Sequence, residues 1–132
     1  MTHWCAQYIG QPWTERRDCG KWFRIWSRVQ FGRRVPPIIL DPGHITHSAA
    51  RTMASDIEGR FGYGLTDTPA EGDAVFLSQR KRPHHIGMVV NVDGKKQVLH
   101  ALEGYGVILS DSMDLRLGGW KIAGYWTPMR SQ

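Results

Sequence analysis

Three side chains in this sequence could together carry out acyl transfer: Cys19, His85 and His100. Cys19 follows Asp18 and precedes Gly20 at the head of the segment CGKWFRIWSRVQF. Asp18 is a strong N-cap, which puts the thiol in the first turn of a helix. Unpaired N–H groups and the positive end of the dipole favour a thiolate there and could hold an oxyanion beside it. A cysteine nucleophile needs a base, and the base needs a group that fixes its tautomer.

The chain has 6 histidines. The choice among them rests on a turn. Val92-Asp93-Gly94-Lys95 reads as a two-residue hairpin, because Asp-Gly accepts the positive φ angles of a type I′ turn. If Val92 pairs with Lys95, Gly87 lies opposite His100, and His85 shares a face with both. The two imidazoles then stand diagonally, with Cα atoms about 7–8 Å apart. We expect that shared face to cover the cysteine helix. A three-residue loop would bring His84 to that face in place of His85.

The elements that must position these groups follow from periodicity. Residues 19–31 place Trp22, Phe23, Trp26, Val29 and Gln30 on one helical stripe, with Gly32 as its stop. A helix is also expected over WCAQYIG, with Cys5 as a packed small hydrophobe, and another from Ser48 to Glu58. After Gly72 the period changes. AVFL, HIGMVVNV, QVLHAL, GVILS and IAGYW read as antiparallel strands. Helices first and strands afterwards predict one α+β domain over residues 1–132.

Composition narrows the classes of function. The formal charge is +5 and the pI about 9.6, which suits an anionic partner. The basic clusters, Arg16-Arg17, Arg33-Arg34 and Arg80-Lys81-Arg82, are short and read as solvated loops. No nucleic-acid motif accompanies them, and no apolar run is long enough to cross a bilayer. The N-terminal residues lack the pattern of a signal peptide. With only two cysteines, Cys5 and Cys19, both are read as free thiols.

A cysteine opening a helix after YIGQPW…DC, followed in order by GDAVFL, HIG and VLHA, resembles the NlpC family of papain-like cysteine peptidases. The resemblance runs from about Tyr8 to about Leu102. It implies a papain-like fold with N-terminal helices packed on a C-terminal antiparallel sheet. It also implies cleavage of peptidoglycan stem peptides, typically between D-glutamate and a diamino acid, without a metal or other cofactor. By the same resemblance Cys19 is the nucleophile, His85 the general base and His100 the residue that orients it. Asp18 matches an aspartate that caps the helix and approaches the substrate amine, and Trp13 and Gly20 fall on the substrate side. Two departures stand there: Trp13 and TERR replace a tyrosine and a Gly-Gly pair, and Gly20 replaces a serine. The compact form looks like versions carried by bacteriophage or gene-transfer-agent tails. That implies tail-tip or hub proteins as partners, and a place in the virion tail or at the host periplasm and wall.

Rival readings share parts of this pattern. ILDPGH resembles the opening of zinc-dependent N-acetylmuramoyl-alanine amidases, with His44, Glu58 and a later histidine as ligands. Asp41-Pro42-Gly43 as a simple turn is the plainer reading, and His44 with His47 as surface histidines. A cysteine amidase of the CHAP type would use the same Cys-then-His logic on a different bond. A tail-tip assembly protein could keep the fold without catalysis.

Overall fold

The computed structural model describes residues 2–37, 58–59, 62–80 and 82–129, with the backbone alone for residues 82–84. The chain opens with a short 3₁₀ turn, Trp4–Gln7, which buries Cys5. Helix α1 spans Cys19–Phe31. It begins where Asp18, in extended conformation, accepts the Lys21 N–H on its carboxylate at 2.9 Å. It stops at Gly32, whose left-handed φ of 64° lets its own N–H and that of Arg33 return to the carbonyls of Arg28 and Ser27. Trp22, Phe23 and Trp26 form its buried face, whereas Val29, expected on that stripe, is exposed.

The rest is mostly strand: β1 (Tyr63–Thr66), β2 (Ala74–Gln79), β3 (Arg82–Val92), β4 (Lys95–Leu102), β5 (Gly106–Ser110) and β6 (Lys121–Pro128). A short helix, α2 (Ser112–Leu117), joins β5 to β6 and is held by a capping box between Asp111 and Asp114. The strands form one six-stranded antiparallel sheet in the order β1-β6-β2-β3-β4-β5. The β3–β4 turn is the expected one. Asp93 and Gly94 both have positive φ, 54° and 74°, and Val92 pairs with Lys95.

The sheet buries both faces. On one, Ile86, Met88, Leu99 and Ala101 pack against Trp22, Phe23 and Trp26 of α1. On the other, Val75, Leu77, Val89 and Val98 pack against Leu115 of α2 and Trp120.

This is not the papain-like, NlpC-type α+β fold expected above. Among the described residues one full-length helix lies on a dominant sheet, rather than a layer of N-terminal helices. The physical reason lies between Tyr8 and Asp18. Gly10 takes a φ of 89° and its N–H bonds to Val107, while Gln11 accepts the Val107 N–H. This stretch is therefore extended against β5, and the WCAQ turn is too short to propagate. The helix expected from Ser48 to Glu58 lies outside the described residues apart from its last position.

Candidate functional site

Cys19 is the first residue of α1, and only 4% of its surface is exposed. Nearby backbone N–H groups, of Cys19 and Gly20 in the helix and of Ile86 in β3, each favour a thiolate. Burial outweighs all three, and the Asp18 charge adds to it, so the thiol is pushed up to about 12. At rest the sulfur is a protonated thiol.

The Ile86 contact follows from the hydrogen-bond alternation of an antiparallel ladder. Val89 donates to the Asp73 carbonyl and accepts from Gly72, so Val89, Gly87 and His85 turn their backbone groups towards β2. Ile86 and Met88 therefore turn theirs towards β4. The β3–β4 register runs from Val92↔Lys95 to Met88↔Leu99. One rung further on, beyond the last β3–β4 pair, the Ile86 N–H favours the ionised form of the Cys19 thiol.

His85 and His100 project together, as the hairpin register predicts. His85 Nε2 lies 2.7 Å from His100 Nδ1, with ring centroids 4.9 Å apart. The two-residue turn decides for His85 over His84 on this face. Their face is not the one expected, however. Strand alternation gives Ile86 and Met88 to α1, and sends His85, Gly87 and His100 to the side of Trp120 and α2. The thiol and the imidazole pair do not share a groove on one face. His85 is the chain neighbour of Ile86, whose backbone N–H favours the Cys19 thiolate.

Two residues that the sequence reading passed over complete the cluster. His100 Nε2 lies 2.9 Å from Ser110 Oγ, and the Trp120 indole stacks on His85 at 4.6 Å and 25°. His85, His100 and Ser110 are all buried. Burial holds the His100 imidazole down at about 4, so it is neutral near pH 7. A signal for Ser110 existed in the second hairpin. Leu102 pairs with Gly106, which sets Ser110 opposite Val98 and diagonal to His100 on one face. A cleft of about 480 Å³ opens beside this cluster, lined by Tyr105, Leu102, Ser110, Trp120 and others.

Gly87 makes the imidazole pairing possible. A Cβ there would stand 2.6 Å from Val98 Cγ1, 3.1 Å from the Leu99 carbonyl oxygen and 3.2 Å from His100 Cβ. Gly87→Ala is expected to destabilise the fold by about 1–3 kcal/mol through overpacking. It is also expected to part the two rings, read by chemical denaturation and by the imidazole NMR signals. Wild-type values in both would contradict the close packing.

The substrate-side residues are placed differently from one another. Asp18 serves as the helix cap, Gly20 is buried in the first turn, and Trp13 is half-buried against the α1-side core. Residues 103–107, EGYGV, end against the segment preceding α1, since the Gln11 carbonyl takes the Val107 N–H at 2.8 Å. His44 and His47 lie outside the described residues, and Glu58, one of the zinc ligands expected beside His44, accepts the Trp126 indole N–H at 3.1 Å. Among the described residues no group of three or more His, Cys, Asp or Glu side chains could hold a metal. No protein-family model matches the chain, and no curated protein matches it.

Proposed function

We propose that the protein is a thiol-dependent amide hydrolase, a cysteine peptidase that cuts the stem peptides of bacterial peptidoglycan. The observation that carries this reading is the buried His85–His100–Ser110 chain, which begins at the neighbour of Ile86, the β3 residue whose N–H favours the Cys19 thiolate. A run of hydrogen-bonded imidazoles is a poor choice for simple filling of an apolar face, and a suitable one for moving a proton. The substrate class rests on the ordered motifs around Asp18-Cys19, HIG and VLHA. The wall-directed setting, in a phage-type tail with tail-tip or hub partners, rests on the same resemblance.

The chemistry follows from the ring nitrogens. In this reading His85 takes the thiol proton, and its Nε2 is held by His100 Nδ1 at 2.7 Å. The sulfur then attacks the amide carbon, and the Cys19 and Gly20 N–H groups, the two first-turn donors that Asp18 does not take, hold the carbonyl oxygen as it becomes negative. His85 returns the proton to the leaving amine as the C–N bond breaks. Water then hydrolyses the thioester, releasing the acid and restoring the thiol. Because the resting sulfur is neutral, proton transfer accompanies attack instead of preceding it.

Ser110 decides whether His85 can serve. If Ser110 accepts the His100 Nε2–H, His100 Nδ1 accepts from His85 Nε2–H and His85 Nδ1 is basic. If Ser110 donates instead, the protons shift along the chain and His85 Nδ1 carries a hydrogen. Ser110→Ala is therefore expected to lower kcat/KM about tenfold, the worth of one buried hydrogen bond. It should also change the ¹⁵N shifts that report the two tautomers. Unchanged shifts together with unchanged rates would remove Ser110 from the mechanism.

Burial of the thiol favours a second reading, a tail-tip structural protein in which Cys19 only packs. Digestion of purified peptidoglycan, with mass analysis of the products, separates the two. Fragments cut at the glutamyl bond support the peptidase. Glycan freed of intact stems points to a cysteine amidase, and an undigested wall supports the structural protein.

A further inference from the structure

The outer face of α1 carries Lys21, Arg24 and Arg28, spaced three and four residues apart along one side of the helix. After the turn at Gly32 the chain runs back beside the helix and adds Arg33 and Arg34. Together with Ile25 and Val35 these five cations line a cleft of about 390 Å³ in which, among the described residues, no lining residue is acidic. Such a volume is typical of a small-molecule site. Two of the arginines are already fixed. Arg24 Nε donates to the Val35 carbonyl at 2.8 Å, leaving its terminal amino groups available. Arg33 donates to the Gly72 carbonyl at 3.0 Å and lies over the Phe31 ring. Among the described residues none of the five forms an ion pair with a carboxylate. The arrangement concentrates like charge, with two of its side chains held in place before any counter-ion arrives.

We infer that this cleft is a binding site for a small, multiply charged phosphate, of the pyrophosphate class. A single carboxylate carries too little charge to neutralise five cations. Closely spaced phosphoryl groups match both the charge and the planar, two-pronged donor geometry of guanidinium groups. The site is independent of Cys19 and of the hydrolysis proposed above. Sequence separates its members into a helix and a loop, and folding brings them to one opening.

Calorimetric titration with inorganic pyrophosphate tests the inference, with monophosphate as the comparison. The variant Arg28→Gln/Arg34→Gln removes two cations whose side chains hold no other part of the described protein, so the fold is kept. Arg116→Gln/Lys121→Gln removes the same charge from a distant surface. Wild type is expected to bind pyrophosphate more tightly than monophosphate. The groove variant should bind it at least tenfold more weakly, and the control variant as wild type does. Equal weakening in both variants, undiminished binding by the groove variant, or no binding by wild type overturns the assignment. So does an affinity that keeps rising with long-chain polyphosphate.

Discussion

Cys19→Ala is expected to reduce the release of soluble fragments from purified peptidoglycan by a factor on the order of 10⁴ or more, which is the usual consequence of removing a covalent nucleophile. The argument is chemical before it is structural. Alanine keeps the helix, because Asp18 still caps the Lys21 N–H, and it removes only the atom that could attack. Cys19→Ser, closer in shape, should be inactive as well, since a hydroxyl is a much weaker acid than a thiol and His85 is not matched to it. His85→Ala should match these losses without adding to them, because nucleophile and base act as one unit. The measurement is fragment release by mass analysis, with circular dichroism to verify that each variant is folded. Folded Cys19→Ala protein that digests the wall at the wild-type rate would end the peptidase reading.

The second large effect is on stability in acid. His100 is fully buried and burial lowers its folded pKa from 6.5 to about 4. Between those two values the unfolded chain binds a proton at this residue and the native state does not, so stability rises with pH across that window. The contribution is fully present above the unfolded value and is lost as pH falls towards about 4. Its full size is about 3 kcal/mol, since each tenfold difference in proton affinity between the two states is worth about 1.4 kcal/mol. Denaturant unfolding at a series of pH values should therefore show a steep acid limb. His100→Gln should flatten that limb by one proton while leaving the slope above pH 7 unchanged. An identical acid limb in wild type and variant would show that His100 is solvated or charged in the native state.

Much of the local structure could be read from residue types. Asp18 before Cys19 and Gly32 after Phe31 mark both ends of α1 because capping is a matter of one or two backbone groups. Asp93-Gly94 sets the turn, and through the turn the register that brings His85 to His100. The expected papain-like layering failed for a non-local reason. Gly10, read as the end of a helix, and Gln11 after it exchange backbone hydrogen bonds with Val107, nearly a hundred positions away. Short apolar segments are open to such capture, since tertiary pairing outweighs weak helical preference. The face of the imidazole pair was missed because period-two alternation says which residues share a side and not which side a helix will cover. The 6-residue helix α2 and Trp120 take the histidine side, and neither was anticipated.

The amino-acid sequence by itself determined where the thiol stands on its helix, which histidine pairs with which, and the glycine that leaves them room, because each depends on neighbours in the chain or across one tight turn. Tertiary structure alone decided that α1 lies on the Ile86 side, that β3–β4 pairing ends at Met88 and Leu99, and that Ser110 and Trp120 enclose the imidazoles. It likewise gathered Arg33 and Arg34 with three cations of α1 around one cleft. These outcomes depend on how two buried faces divide the available apolar side chains, a long-range competition that no local pattern encodes.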